Sequence, residues 1–121
     1  MHIVRKDIKK NRLYITLQGF ISNSEARNVK SEVIEEIEGL LPGFDVINDL
    51  SKLVNAEERS APVLSEVTSY MLSKKVNRIV RVVGQSKTGL MLFAKFSPEN
   101  DSLNIKYVPT LKEAEELLAQ K

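Results

Sequence analysis

The stretch Ile79-Val80-Arg81-Val82-Val83-Gly84 constrains this chain more than any other. Its side chains are β-branched at nearly every position, so an extended segment here is apolar on both faces. Such a strand needs cover on both sides, which a parallel sheet between helices provides. Leu13, Ile15 and Leu17 alternate with Tyr14 and Thr16, the period of a half-buried strand. A shorter strand around Ile3 and Val4 pairs with it across the polar turn Lys9-Lys10-Asn11-Arg12, and Gly19 closes the unit.

Helices fill the intervals. Ser22 and Glu25 have capping-box spacing, and Ala26, Val29, Val33, Ile34, Ile37 and Leu41 recur behind them until Pro42-Gly43. Phe44 to Leu50 reads as an interior strand, followed by a polar connection from Ser51 to Arg59. A second helix is expected from about Ser60 to Lys75, with Val63, Val67, Tyr70 and Met71 as its stripe. Pro62 falls in its first turn, where a missing N–H does no harm. Gly89 to Phe96 fits a short helix, and Leu103, Ile105 and Tyr107 alternate as a last strand. Thr110 and Glu113 then cap a closing helix carrying Leu111, Ala114, Leu117 and Leu118. The expected fold is α/β: a single domain over residues 1–121 with a mixed central sheet of four to five strands and about four helices, in the order ββαβαβαβα.

Composition narrows the chemistry. A chain of 121 residues has room for one core. Lys and Arg number 18 against 16 Asp and Glu, a net charge of +2, too balanced for nucleic acid or an anionic membrane as main partner. The basic clusters Lys9 to Arg12 and Lys74-Lys75-Val76-Asn77-Arg78 lack interleaved aromatics and read as turn chemistry. The absence of cysteine excludes disulfides, thiolate metal sites and cysteine nucleophiles. No apolar run approaches the ~20 residues of a membrane span, and no apolar segment of a signal peptide follows Met1 to Lys6. A cytoplasmic location is therefore expected.

Catalytic sets are equally hard to write. The glycines are isolated, so no phosphate-binding loop exists. His2, the single histidine, is expected to be a surface residue at a fraying terminus. No cofactor or metal and no enzymatic activity are expected. Lys87, Glu57, Asp49 and Tyr107 have the chemistry for acid, base or electrostatic roles, but no spacing selects them. The pairs Glu35-Glu36 and Glu115-Glu116 lie opposite apolar stripes and read as solvated faces. Glu57-Glu58 precedes a helix start, where acidic groups complement the positive end of the dipole or form an interaction surface.

One ordered set of strings is more specific. A strand ending in Asp49-Leu50-Ser51, a loop into a helix, Arg78-Ile79-Val80-Arg81-Val82-Val83-Gly84, and a closing Thr110-Leu111-Lys112-Glu113-Ala114 follow one another. This order resembles the STAS domain, over roughly Arg12 to Leu118. That family comprises bacterial anti-sigma-factor antagonists and the cytoplasmic tails of sulfate transporters. The resemblance implies a non-enzymatic domain that binds a protein partner, such as a regulatory kinase or an anti-sigma-like protein. In signalling members an Asp-Ser-Ser-Gly motif starts the helix after this strand, and a kinase phosphorylates one of its serines. Here Glu57-Glu58-Arg59-Ser60 stands in that stretch, with Glu58 where the phosphoacceptor falls and Ser60 as the nearest hydroxyl.

The expected partner surface is thus Asp49, Ser51, Glu57, Glu58, Arg59 and Ser60, with Ser60 as the candidate phosphoacceptor or, alternatively, a plain N-cap. A helix start there would offer free N–H groups to an anion. Ser60→Glu and Glu58→Ala are expected to alter partner binding with little change in melting temperature. The alternative is a small-ligand carrier whose apolar pocket is lined by Leu90, Leu92, Phe93 and Phe96. An exposed amino-terminal edge strand would support a homodimer.

Overall fold

The computed structural model describes residues 1–85 and 104–120. Among these residues the expected mixed sheet has five strands, in spatial order β1 to β5. They are β1 (His2–Asp7), β2 (Arg12–Ile21), β3 (Asp45–Ala56), β4 (Arg78–Val82) and β5 (Ile105–Val108). β1 and β2 form the antiparallel hairpin, and every other neighbouring pair is parallel. Three helices are described, α1 (Asn23–Ile37), α2 (Ser60–Ser73) and α3 (Leu111–Ala119), against about four expected. The short helix expected over Gly89 to Phe96, with Leu90, Leu92, Phe93 and Phe96, lies outside the described residues.

The two-sided cover that β4 demands is present. Leu13, Ile15 and Leu17 of β2, Val46 and Leu50 of β3 and Ile79 of β4 are buried together with Ala26, Val29, Val33 and Ile37 of α1 and Leu64, Val67 and Met71 of α2. On the opposite face, Tyr14, Ile47, Val80 and Val82 meet Ala114 and Leu118 of α3. Each fully buried aliphatic side chain contributes ~1.5–3 kcal/mol relative to exposure. The α2 stripe is Leu64, Val67, Thr68 and Met71, one step round from the expected one, with Val63 and Tyr70 at its margins.

Polar ties lock α3 to the sheet. Glu115 accepts from Arg12 Nη1 at 2.7 Å and from the Tyr14 hydroxyl at 2.8 Å, so it is a half-buried tie to the sheet as well as part of a solvated face. Arg12, expected in the turn, opens β2 and is buried. Arg78 grips Asp45 through Nε and Nη2 at 3.0 and 2.7 Å and donates to the carbonyls of Leu118 and Gln120.

Several boundaries move. α1 stops at Ile37 rather than running to Leu41, because Gly39 weakens the last turn. Gly39 and Leu40 donate instead to the carbonyls of Glu36 and Ile37 at 3.1 and 2.9 Å, a tighter i to i+3 pattern. β2 does not close at Gly19: the glycine takes a left-handed φ of 67° within a register irregularity, and the strand continues to Ile21. β3 likewise passes Leu50 and reaches Ala56. Lys52, Leu53, Asn55 and Ala56 pair with Gln18, Gly19, Phe20 and Ile21, whereas the β3–β4 ladder ends at Asp49 and Val82. Beyond that point β3 continues on its pairing with β2, and the exposed positions Lys52, Val54 and Asn55 include polar side chains.

His2 also departs from expectation. It sits within β1, partly buried, with Nδ1 2.7 Å from Glu25 Oε2 and Nε2 against Glu32. β1 is an edge of the sheet, as expected.

Candidate functional site

The β2–β3 ribbon delivers the chain to a turn at Glu57-Glu58-Arg59, between the starts of α1 and α2. The Glu57 N–H donates to the Ile21 carbonyl at 2.8 Å, which continues the parallel pairing by one residue. Its carboxylate then turns toward α1, where Oε2 accepts the backbone N–H of Asn23 at 2.7 Å. Oε1 accepts from Arg59 Nε and Nη2 at 3.1 and 2.8 Å. Ser22 supplies the α1 cap, its Oγ accepting from Glu25 N at 3.0 Å. With its amide turned to satisfy both neighbours, Asn23 donates to the Arg59 carbonyl at 3.1 Å and accepts from Arg27 Nη2 at 3.2 Å. One turn is therefore tied to one helix start by backbone and side chain together.

Electrostatics follow from these contacts. The Glu57 carboxyl is held below its ordinary range, first by the Asn23 N–H and then by the Arg59 guanidinium, with slight desolvation opposing them. Its charge complements the dipole of α1 rather than that of α2, the helix expected from sequence order. Glu58 is exposed, and the Arg59 side chain is 78% exposed even while it pairs with Glu57. The turn thus presents one exposed carboxylate and one guanidinium on a fixed backbone.

Ser60 behaves differently from a cap. The N-cap of α2 is Arg59, which makes no side-chain cap, and Ser60 is the first helical residue. It is 0% exposed, and its Oγ donates to the Glu57 carbonyl at 2.5 Å. Its N–H also donates to Glu57 O, that of Ala61 donates to Glu58 O, and Pro62 has none. The start of α2 therefore offers no free N–H at these positions, and a kinase has no access to the Ser60 hydroxyl in this conformation. Ser60→Glu, expected to leave stability nearly unchanged, would instead place a carboxylate in a buried site.

Asp49 and Ser51 form a separate locus. Asp49 Oδ1 accepts from both the N–H and the hydroxyl of Ser51, at 3.0 and 2.7 Å. Five extended residues, Lys52 to Ala56, separate Ser51 from Glu57, roughly 20 Å of strand, so the two halves of the expected surface are not brought together. Ser51 lies instead against Gly84 at the end of β4, where an added Cβ would stand 3.1 Å from the Ser51 Cβ.

Beneath α2 lies a polar interior that hydropathy alone conceals. Arg81 is 1% exposed, and its Nη1 donates to the Tyr107 hydroxyl at 2.8 Å. Burial draws its guanidinium below its ordinary value, and Tyr107 opposes that shift. With Asn48 and Thr68 it lines a cavity of about 10 Å³, the room of about one water. Asn48 Oδ1 has no protein partner among the described residues. The visible signal was Arg81 inside the apolar run from Ile79 to Val83. Asn23 and Arg27 had no such signal, since both lie far in sequence from the turn they support.

Among the described residues no group of three or more acidic or histidine side chains is placed to hold a metal ion. None of the described helices is long and apolar enough to cross a membrane.

The architecture matches solved structures at low sequence identity. The anti-sigma factor antagonist SpoIIAA in its unphosphorylated form superposes with a TM-score of 0.72 at 10% identity, covering 100% of both chains. A protein with a SpoIIAA-like fold from Shewanella loihica PV-4 gives 0.69 at 13% identity, over 98% of this chain and 92% of its own. The phosphorylated form of SpoIIAA, a Bacillus cell fate determinant, gives 0.64 at 9% identity, over 98% and 99%. No family model matches the chain, and no curated protein matches its sequence. The chain has a SpoIIAA-like fold, the fold that the STAS resemblance implies.

Proposed function

We propose that this chain is a single-domain, non-enzymatic STAS-like regulator. It acts in the cytoplasm and binds a protein partner through Glu58, Arg59 and the adjoining start of α2. One observation carries the proposal: Glu58 and Arg59 face solvent on a turn that Glu57 fixes to Asn23 and Ile21. A preorganised charged turn loses little entropy on binding, which suits it to protein recognition. The full-length fold likeness to an anti-sigma factor antagonist, solved with and without phosphate, supports an anti-sigma-like protein or a kinase as that partner. Asp49 and Ser51 then serve the turn from a distance, by shaping the strand that leads to it.

Ser60 is the proposed phosphoacceptor, and its burial gives the modification a consequence. A phosphoryl group needs the first turn of α2 to open, and it adds about −1.5 to −2 charges beside Glu57. The Glu57 clip on Asn23 is then lost together with the shape of the turn. Modification and partner binding thereby become alternatives.

The test is capture from native lysate with wild-type chain and with the double variant Glu58→Lys, Arg59→Glu as baits. The wild type should retain a protein that the variant loses, while the two melting temperatures stay within about 2 °C, as for exposed substitutions. A variant that retains the same protein equally well removes the turn from the interface.

A further inference from the structure

The far ends of α1 and α2 carry a second surface. After α1 ends at Ile37 the chain turns through Glu38 to Gly43 before β3. Leu41 stands on this connection, 71% exposed. Its backbone is nevertheless held at both polar groups by one side chain: the Asn11 amide donates to the Leu41 carbonyl at 3.1 Å and accepts the Leu41 N–H at 2.8 Å. Asn11 is left-handed, with φ 51°, and so is Lys75, with φ 65°, whose carbonyl accepts the Gly43 N–H at 2.8 Å. These are the positive-φ residues other than glycine among the described residues, and both brace this connection. Left-handed backbone at such residues is uncommon and clusters where geometry must be held. Fixing an exposed leucine adds nothing to the core. It does place an apolar side chain in one position, which reduces the ordering cost of a contact.

Beside this knob lies a hollow of about 280 Å³, lined by Ile37, Leu40, Pro42 and Tyr70, with Glu38 and Lys74 contributing opposite charges. Leu40 and Pro42 flank Leu41 in the chain, so knob and hollow are adjacent. A surface with a projection and a hollow side by side supplies both halves of an isologous contact, in which each copy uses the same patch. An acid and a base on the same patch satisfy each other twice across such an axis. We propose that this face joins two copies of the chain about a two-fold axis, Leu41 of each copy entering the hollow of the other and Glu38 of each facing Lys74 of the other.

The inference is independent of the partner turn. The fifteen residues of α1 separate the two surfaces by roughly 20 Å, and both can be occupied at once. It also differs from pairing through the β1 edge.

Sedimentation velocity of the full chain over a concentration series reaching about 1 mM, the range of small interfaces, provides the test. Self-association is expected, weakened at least about tenfold by Leu41→Glu. Lys74→Glu should weaken it as well, and Glu38→Lys in the same chain should restore it by exchanging the two charges. Melting temperatures near that of the wild type verify that the variants are folded. A chain that stays monomeric throughout overturns the proposal and leaves the face to a different protein. Association that survives Leu41→Glu unchanged overturns it too, and moves the contact to another surface such as β1. Neither result bears on capture through Glu58 and Arg59.

Discussion

The Glu57 carboxylate accepts the Asn23 backbone N–H at 2.7 Å, joining the turn before one helix to the first residue of another. The carboxyl is held below its ordinary pKa of about 4.3, first by that N–H and then by Arg59. A depressed carboxylate contributes stability above its unfolded pKa and loses it as pH falls through the folded value. Glu57→Gln should therefore lower the melting temperature at neutral pH and speed exchange of the Asn23 amide hydrogen. The gap from wild type should narrow as pH falls below the unfolded value and close once it has passed the lower folded value. A gap that stays constant on acidification would detach the stabilisation from the charge.

His2 has the opposite sign. Burial favours the neutral ring, but the hydrogen bonds it donates to Glu25 and Glu32 and the charges of those carboxylates outweigh it, so the pKa is raised. The stability contributed by the charged ring is fully present below its unfolded pKa of about 6.5 and is lost as pH rises through the higher folded value. An NMR titration should place the imidazole midpoint above about 6.5, and His2→Gln should flatten the fall in melting temperature above that pH. A midpoint at or below the unfolded value would rule this out.

Arg78 holds Asp45 by a two-point fork and the end of α3 by two further bonds. Arg78→Ala leaves a buried carboxylate without its cation and should cost about 3 kcal/mol in urea unfolding. Arg78→Lys should recover only part of this, because an ammonium cannot reproduce the planar fork. A loss for Arg78→Ala below about 1 kcal/mol would place the pair among surface bridges.

Gly84 adopts φ 53°, and a Cβ there would meet that of Ser51 at 3.1 Å. Gly84→Ala should cost about 1–3 kcal/mol through left-handed backbone strain and that contact. Repeating it in a Ser51→Gly chain separates the two contributions, since the contact disappears and the strain remains. Equal losses in both backgrounds would assign the whole effect to the backbone.

The parts legible in the sequence are those decided by near neighbours. Ser22 accepts from Glu25 N at 3.0 Å and Thr110 from Glu113 N at 3.2 Å, so both three-residue capping patterns announced their helices. The alternation of Leu13, Ile15 and Leu17 similarly identified the face that α1 and α2 cover. Decisions taken by distant residues were hidden. Ser51 to Asn55 look like loop because of their polarity, yet pairing with β2 makes them strand. Ser60 resembles a cap in isolation, whereas the folded chain buries it completely. Glu57 resembles an α2 dipole partner because its contact at Asn23 lies 34 residues away. The Leu41 brace depends on Asn11, thirty positions earlier, and no local pattern reveals it.

The ribbon formed by the ends of β2 and β3 has a consequence for how the protein opens. Its last ladder pairs lie past the point where the β3–β4 ladder ends, at Asp49 and Val82. A ribbon that reaches past the central ladder depends on the ties at its tip to hold its last residues. The Glu57 clip is the fastener at the tip of that ribbon. A modest perturbation at that tip can peel back a few residues while the core keeps its full protection, which separates switching from unfolding.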